Sequence, residues 1–369
     1  MKKIAIIGAS YLQLPLVYKA KEMGLEVHCF AWKEGAVCRQ HADFFYPISI
    51  IEKELILDKC KKIKIDGVCS IASDVAVTTV SYIAENMGLI ANSIKSAEKS
   101  TNKYLMRSML QRNAVNIPLY ASDNETDAIQ KMNFPVIVKP TDRSGSLGIQ
   151  KVNNKNKLQK AIDFAKSQSL SNTAIVEEFI TGVEVSVETI SWNGQHFVLA
   201  ITDKETTEEP YFVELAHHQP TILPKEIQEE IIKQTILSLN ALNIKFGASH
   251  SEFKITESGD VFAIEIGARM GGDFIGSDLV YLSTGFDFLK SVIDISLGNF
   301  SEPNIKLQTH SGIYFLSKET EYLLKYFEDD FNADWIIQKK QTKKDLQSIR
   351  SSSERSGYII YQSENKIEL

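Results

Sequence analysis

The sequence has few cysteines, no long apolar run and no excess of positive charge. Cys29, Cys38, Cys60 and Cys69 are its only cysteines, all within the first 70 of 369 residues. Their spacings match no zinc pattern, and Cys29 and Cys69 fall inside apolar strand-like runs. They read as reduced structural thiols in a cytoplasmic protein. No stretch approaches the ~18 apolar residues of a membrane-crossing helix. The start, Met1 to Gly8, is too short an apolar run for a secretory leader, so no membrane partner is expected. Lys+Arg 41 against Asp+Glu 47 gives a net charge of −6, which disfavours general nucleic-acid binding. Internal repeats and low-complexity linkers are absent too. What remains is an ordinary globular composition, at roughly 150 residues per domain enough for two or three domains.

Ile4 to Ile7 form a β-branched run ending at Gly8, followed by a helical pattern to Met23 and Gly24. Val27–Ala31 and Gly67–Ala72 read as further strands and Val75–Met87 as a helix closed by Gly88. Strands alternating with helices predict a parallel, Rossmann-like sheet over residues 1–95. The turn Gly8-Ala9-Ser10-Tyr11-Leu12-Gln13 lacks the second and third glycines of a dinucleotide fingerprint, which argues against a nicotinamide or flavin dehydrogenase. Ser96 to Asn113 predicts one helix containing Lys103. Val136–Pro140 is a strand ending at Lys139, and Thr141 to Gly148 is a small-residue loop. Such a lysine and loop suit phosphate groups, although no Walker A sequence is present. Glu184 to Glu188 alternates with period two, and Ile227–Leu242 carries one apolar helical face.

Residues 248–267 give the sharpest inference. Two alternating strands, Ala248–Thr256 and Val261–Gly267, flank Ser258–Gly259. A turn symmetric about that dipeptide sets Glu252 opposite Glu265, with Cβ atoms about 4.5–5.5 Å apart. Like charges so placed need a shared proton, a nearby lysine or arginine, or a divalent cation, unless both face solvent. An acid/base pair of the glycosidase kind uses the same spacing.

Six motifs in order then resemble the ATP-grasp superfamily over roughly residues 1–300. They are Asn102-Lys103 with Met106-Arg107; Pro135 to Pro140; Arg143-Ser144-Gly145-Ser146-Leu147-Gly148; Glu177-Glu178-Phe179-Ile180-Thr181-Gly182-Val183-Glu184; Glu252; and Glu265-Ile-Gly-Ala-Arg269-Met-Gly-Gly272. The resemblance implies a mixed α/β and α+β fold. It divides the chain into a Rossmann-like domain at 1–95, two α+β subdomains at 96–185 and 186–300 that sandwich ATP, and a small C-terminal lobe at 301–369. It implies that Lys103 and Lys139 meet the ATP phosphates and adenine side. Ser144, Gly145, Ser146 and Gly148 would close over the phosphates. Glu177, Glu178 and Ile180 would form the adenine hinge, and Glu184 would hold the ribose. Glu252 and Glu265 would be the Mg²⁺ ligands, for one or two ions, with Mn²⁺ as a substitute. Arg269 would steady an acyl phosphate, with Gly271 and Gly272 beside the substrate. One position departs from the pattern: Gly267 stands where many members have a metal-ligating Asn, which puts a second ion in doubt.

The implied activity is that of an ADP-forming carboxylate–amine ligase, similar to L-amino-acid ligases. A carboxylase- or purine-type enzyme using bicarbonate, formate or a phosphoribosyl substrate is the alternative, and an ATP-binding regulatory module a third. Small-molecule carboxylate and amine partners follow from the resemblance, as does a homodimer. On the acceptor side, Glu214 and His217 in Tyr211–Pro220 are the substrate-binding candidates: a carboxylate binds an ammonium, and a neutral histidine takes a proton. A plain surface loop is the competing reading of that stretch. Glu188, His250 and Ser73-Asp74 are further positions expected near the site.

Overall fold

Ile4 to Ile7 are fully buried, as a central parallel strand requires. In the computed structural model, which describes all residues except Ser146, Pro210, Asp329 and Asp330, they belong to β1 (Lys3–Ile7). This strand pairs in parallel with β2 (Glu26–Phe30) and β4 (Gly67–Cys69), and β3 (Phe44–Tyr46) lies outside β2. The Asp74–Met87 helix starts at Ser73, whose hydroxyl accepts from Ala76 N at 3.4 Å, and ends on Gly88 at φ +67°. The expected parallel N-terminal sheet is therefore present. The expectation for Ser146 lies outside the described residues.

A second, antiparallel sheet contains β5 (Tyr120–Ser122), β6 (Val136–Pro140), β7 (Gln150–Val152) and β8 (Ala174–Glu178), in the order β5-β8-β6-β7. The Leu158–Gln168 helix covers it through Leu158, Ala161, Ile162 and Ala165. The third sheet has eight antiparallel strands: β9 (Val183–Trp192), β10 (Gln195–Thr206), β11 (Glu214–Gln219), β12 (Gly247–Ile255), β13 (Val261–Gly267), β14 (His310–Leu316), β15 (Ile336–Gln341) and β16 (Gly357–Ser363). Their order is β13-β12-β9-β10-β11-β14-β16-β15. Residues from 301 onward thus add three strands to this sheet rather than building one of their own. One face, with Val185, Val187, Ile201, Phe253 and Ala263, packs on Ile231 and Leu239 of the Lys225–Ala241 helix. Strand periodicity sends Glu184, Glu188, Lys204, His250 and Glu252 to the opposite face.

Three local expectations change. Ser96–Asn113 is not one helix but two, Ile94–Thr101 and Lys103–Arg112, broken at Asn102. Asn102 is extended (φ −101°, ψ 112°) and its side chain caps the second helix by accepting from Leu105 N at 3.0 Å. A short polar side chain that bonds the backbone locally competes with helix continuation, a competition that apolar periodicity does not register. The Tyr211–Pro220 stretch is no surface loop throughout, since Glu214–Gln219 is an internal strand. In the hairpin, Glu252 does oppose Glu265, but by a different route. Phe253, Lys254 and Ile255 pair one residue out of that register, and the shift between Glu252 and Phe253 leaves Ile264 as the extra residue of a bulge.

Candidate active site

Five strands contribute to one polar face. Glu252 and Glu265 lie side by side in register, each side chain 23% exposed. A lysine offsets each: Lys103 Nζ is 3.1 Å from Glu265 Oε1, and Lys204 Nζ 2.8 Å from Glu252 Oε1. Lys103 owes its place to the helix break at Asn102. Its backbone N–H donates to Thr141 O at 2.8 Å and its ammonium to Arg143 O at 2.6 Å, so it ties the 141–148 loop to Glu265. In that loop Gly145 and Gly148 adopt φ +65° and +78°. A Cβ on Gly148 would meet Pro140 Cγ at 2.8 Å, so the close approach requires glycine. Ser144 lies beside Gly145 on the same loop.

Lys204 is the centre that the sequence reading missed. Its side chain is 4% exposed and touches Glu184 Oε1 at 2.5 Å, Glu252 Oε1 at 2.8 Å and Glu214 Oε1 at 3.8 Å. Burial works against its charge, but the three carboxylates hold its pKa well above the usual lysine value. Glu252 is reciprocally held far below the usual carboxylate range by Lys204 and His250, against the effect of burial. His250 donates to the fully buried Glu188 and lies 3.3 Å from Glu252 through Nε2. Burial disfavours its charged form, yet Glu188 raises its pKa to about 9.

Glu177 sits apart from this face. Its carboxylate, buried to 3% exposure, accepts Lys139 Nζ at 2.7 Å and lies 2.7 Å from Arg107 Nε. Arg107 also donates to Ile264 O at 2.7 Å, the carbonyl at the bulge. Burial would raise the Glu177 pKa, but Arg107 and Lys139 pull it down to about 2. The Glu177 side chain therefore anchors Lys139 of the neighbouring strand, while Arg107 links it to the eight-stranded sheet. In the next residues, Glu178 N donates to Leu119 O at 2.9 Å, and Ile180 is 8% exposed.

Arg269 is held by the N-terminal layer. Its Nε and Nη2 donate to Asp74 Oδ1 and Oδ2, both at 3.0 Å, and Ala72 N donates to Met270 O at 3.1 Å. Gly267 makes room for that pair: a Cβ there would stand 3.0 Å from Asp74 Oδ1 and 3.3 Å from Arg269 Cζ. Gly271 packs directly on the Glu188–His250 pair. Its N–H donates to Glu188 Oε2 at 3.0 Å, and a Cβ would meet Glu188 Oε1 at 2.5 Å. Gly272, by contrast, would have only ordinary contact with Ala72, at 3.6 Å.

Glu214 and His217 come to the far side of the same face. Glu214 Oε2 accepts Arg355 Nη2 at 3.0 Å. His217 is 1% exposed, and neither ring nitrogen has a hydrogen-bond partner among the described residues; Nε2 is 3.7 Å from Asp273 Oδ2. Arg355 and Asp273 also escaped the sequence reading. All four cysteines are buried free thiols.

As a donor set, Glu252 and Glu265 suit a hard divalent cation that completes its shell with phosphate oxygens and water. Gly267, opposite His250, offers no further side-chain oxygen. Among the described residues no group of three or more His, Cys, Asp or Glu side chains converges as a metal site, and no helix is long and apolar enough to cross a membrane.

Comparison with known proteins bears on the fold. A family model for the ATP-grasp domain matches residues 132–278. Alanine–anticapsin ligase of Bacillus subtilis is 26% identical over 268 residues, covering 63% of this chain and 56% of that protein. The chain thus spans little more than half the length of that relative. The crystal structure of L-amino acid ligase from Bacillus licheniformis superposes with TM-score 0.81 at 23% identity, covering 99% of this chain and 94% of that one. Phosphoribosylglycinamide synthetase from Anaerococcus prevotii superposes with TM-score 0.79 at 20% identity, with the same coverage of 99% and 94%. Likenesses at these identities speak to the fold, which these differently named enzymes share. Residues 132–278 thus match the ATP-grasp domain family, and the chain as a whole shares the fold of these enzymes.

Proposed function

We propose that this protein is an ATP-dependent carboxylate–amine ligase acting on small, amino-acid-like molecules. The supporting observation is the Glu252–Glu265 pair with Lys103, Lys204 and Arg269 around it. In the proposed reaction, a substrate carboxylate oxygen bonds to the γ-phosphorus of ATP as the bond to ADP breaks. The amine nitrogen then bonds to the acyl carbon, inorganic phosphate leaves with the acyl C–O electron pair, and the amine loses a proton to solvent. Lys103 and Lys139 would bind phosphate oxygens, with Ser144, Gly145 and Gly148 closing above them. Glu178 and Ile180 would supply backbone contacts to adenine, and Glu184 would hold the ribose. Glu252 and Glu265 would hold Mg²⁺, which offsets phosphate charge. Arg269 would face the developing acyl phosphate, with Gly271 and Gly272 alongside. Positioning and fixed charge account for the catalysis.

Relatives acting on formate or phosphoribosyl compounds exist in the same fold, but Glu214 and Asp273 make the far side of this face unfavourable for a phosphorylated substrate. The test is incubation with Mg²⁺, ATP and pooled small acids and amines, reading nucleotides and masses together. ADP plus a mass equal to acid plus amine minus water is expected. Glu252→Gln and Arg269→Ala should each abolish it. Formate- or bicarbonate-dependent ADP release without an amino acid would select the carboxylase or purine-type alternative.

A further inference from the structure

The Arg355 cluster has a shape and charge of its own. Arg355 begins the segment leading into β16, and its side chain is 7% exposed. The guanidinium lies 3.7 Å from the Phe315 ring centroid, a cation–π contact. A guanidinium has five N–H donors. Three are engaged: Nε with Glu214 O at 3.1 Å, Nη2 with Glu214 Oε2 at 3.0 Å, and Nη1 with Asp273 Oδ2 at 2.7 Å. One N–H on each terminal nitrogen is left without an acceptor among the described residues. The two terminal nitrogens of a guanidinium together can grip a carboxylate as a fork.

The surrounding charges complete the picture. Glu214 and Asp273 together carry one more charge than Arg355 offsets, and burial keeps His217 neutral by lowering its pKa. Lys204 is already engaged by Glu184 and Glu252. The surplus therefore suits an ammonium, and the buried, unpartnered His217 stands beside it. Both carboxylates reach the open side, at 24% and 22% exposure. Asp273 and Phe274 are held at φ +50° and +64°, a costly backbone for non-glycine residues that is found where a site demands it. Glu214 links the cluster to the reaction face, since its Oε1 is 3.8 Å from Lys204 Nζ.

We propose that Arg355 seats the free carboxylate of the amine substrate, so that the acceptor is an α-amino acid held between Arg355 and the Glu214–Asp273 pair. This rests on the ligase reading. A simple amine would leave the fork empty, and a dianionic phosphate would face two carboxylates. A zwitterion satisfies both halves without burying net charge.

The experiment offers wild type, Arg355→Gln and Arg355→Lys each of the twenty standard L-amino acids and its carboxamide as acceptor, with hydroxylamine as a carboxylate-free control. Losing a charge-assisted pair should raise KM for the acids roughly ten- to hundred-fold in both variants. KM for the carboxamides and for hydroxylamine should change less than about three-fold. Arg355→Lys keeps the positive charge between Glu214 and Asp273, so it separates loss of the fork from loss of fold. Equal effects on acids and carboxamides, no effect on either, or an effect confined to the activated acid would overturn the assignment. A wild type that couples hydroxylamine but no amino acid would overturn it while leaving the ligase reading intact. A wild type that makes no ADP with any pair would sink both.

Discussion

Replacing Glu177 by Gln should expose how this site is held together, because the carboxylate is buried between Lys139 and Arg107 at 2.7 Å each. Its pKa falls from the ordinary 4.5 to about 2. At about 1.4 kcal/mol per pKa unit, that shift corresponds to roughly 3 kcal/mol of stability at neutral pH. The sign follows from the depressed folded-state pKa: the contribution is complete above the unfolded value near 4.5 and is lost as pH falls through about 2. Gln leaves two buried cations partly uncompensated, which places the neutral-pH loss at about 3–5 kcal/mol. Urea unfolding of wild type and Glu177→Gln at a series of pH values between 7 and 3 is the assay. The gap between the two proteins should be widest at neutral pH and narrow as pH drops below about 4.5. A gap under about 1 kcal/mol at pH 7, or one that stays constant to pH 3, would refute the claim that this carboxylate is the charged anchor of Lys139.

Three further outcomes are expected. Lys204→Met leaves Glu184, Glu214 and Glu252 without their shared cation; its melting temperature should fall and recover on adding millimolar Mg²⁺, while ADP formation drops by on the order of a hundred-fold, and the lack of any Mg²⁺ rescue would count against the face as a cation site. Asp74→Asn removes the charge facing Arg269 and one of the two acceptors that hold it at 3.0 Å; steady-state kinetics should show kcat lowered by about ten- to hundred-fold with KM for ATP unchanged. Gly271→Ala pushes a methyl to 2.5 Å from Glu188 Oε1; it should cost about 1–3 kcal/mol in denaturant unfolding, whereas Gly272→Ala, with 3.6 Å of room, should cost far less.

Parts of this site were legible in the sequence for local reasons. Glu252 and Glu265 belong to alternating strands close to one turn, so their pairing could be read even though a bulge, not a symmetric turn, delivers it. Lys139 announced itself as a lysine closing an apolar strand ahead of a small-residue loop. Lys204 gave no such signal. Thr202-Asp203-Lys204-Glu205 looks like solvated surface, and the burial of its lysine comes from Glu184 and Glu252 on strands 20 and 48 residues away. Asp74 meets Arg269 across 195 residues, and Arg355 meets Glu214 across 141. Pairings of that range are set by how the sheets are stacked, which periodicity does not encode. The N-terminal parallel sheet was readable at β1, β2 and β4 because each carries its own burial, whereas the partly exposed β3 was not read. Strand β11 was not, because Glu214, His218 and Gln219 are polar residues whose partners lie on other elements, and His217 is polar yet buried.

The continuity of the eight-stranded sheet has a bearing on modularity. The segment matched as an ATP-grasp domain ends at residue 278, yet β11, inside it, is hydrogen-bonded to β14, which begins at His310. Lys103, before its start, completes the carboxylate pair. A gene fragment cut at the family boundaries would uncover the β11 edge as a row of unpaired amides and carbonyls, a template for joining other chains. Any exchange of residues 132–278 between chains of this fold therefore calls for the 310–363 strands with them, since β14 pairs with β11 and Arg355 bonds Glu214 across that boundary.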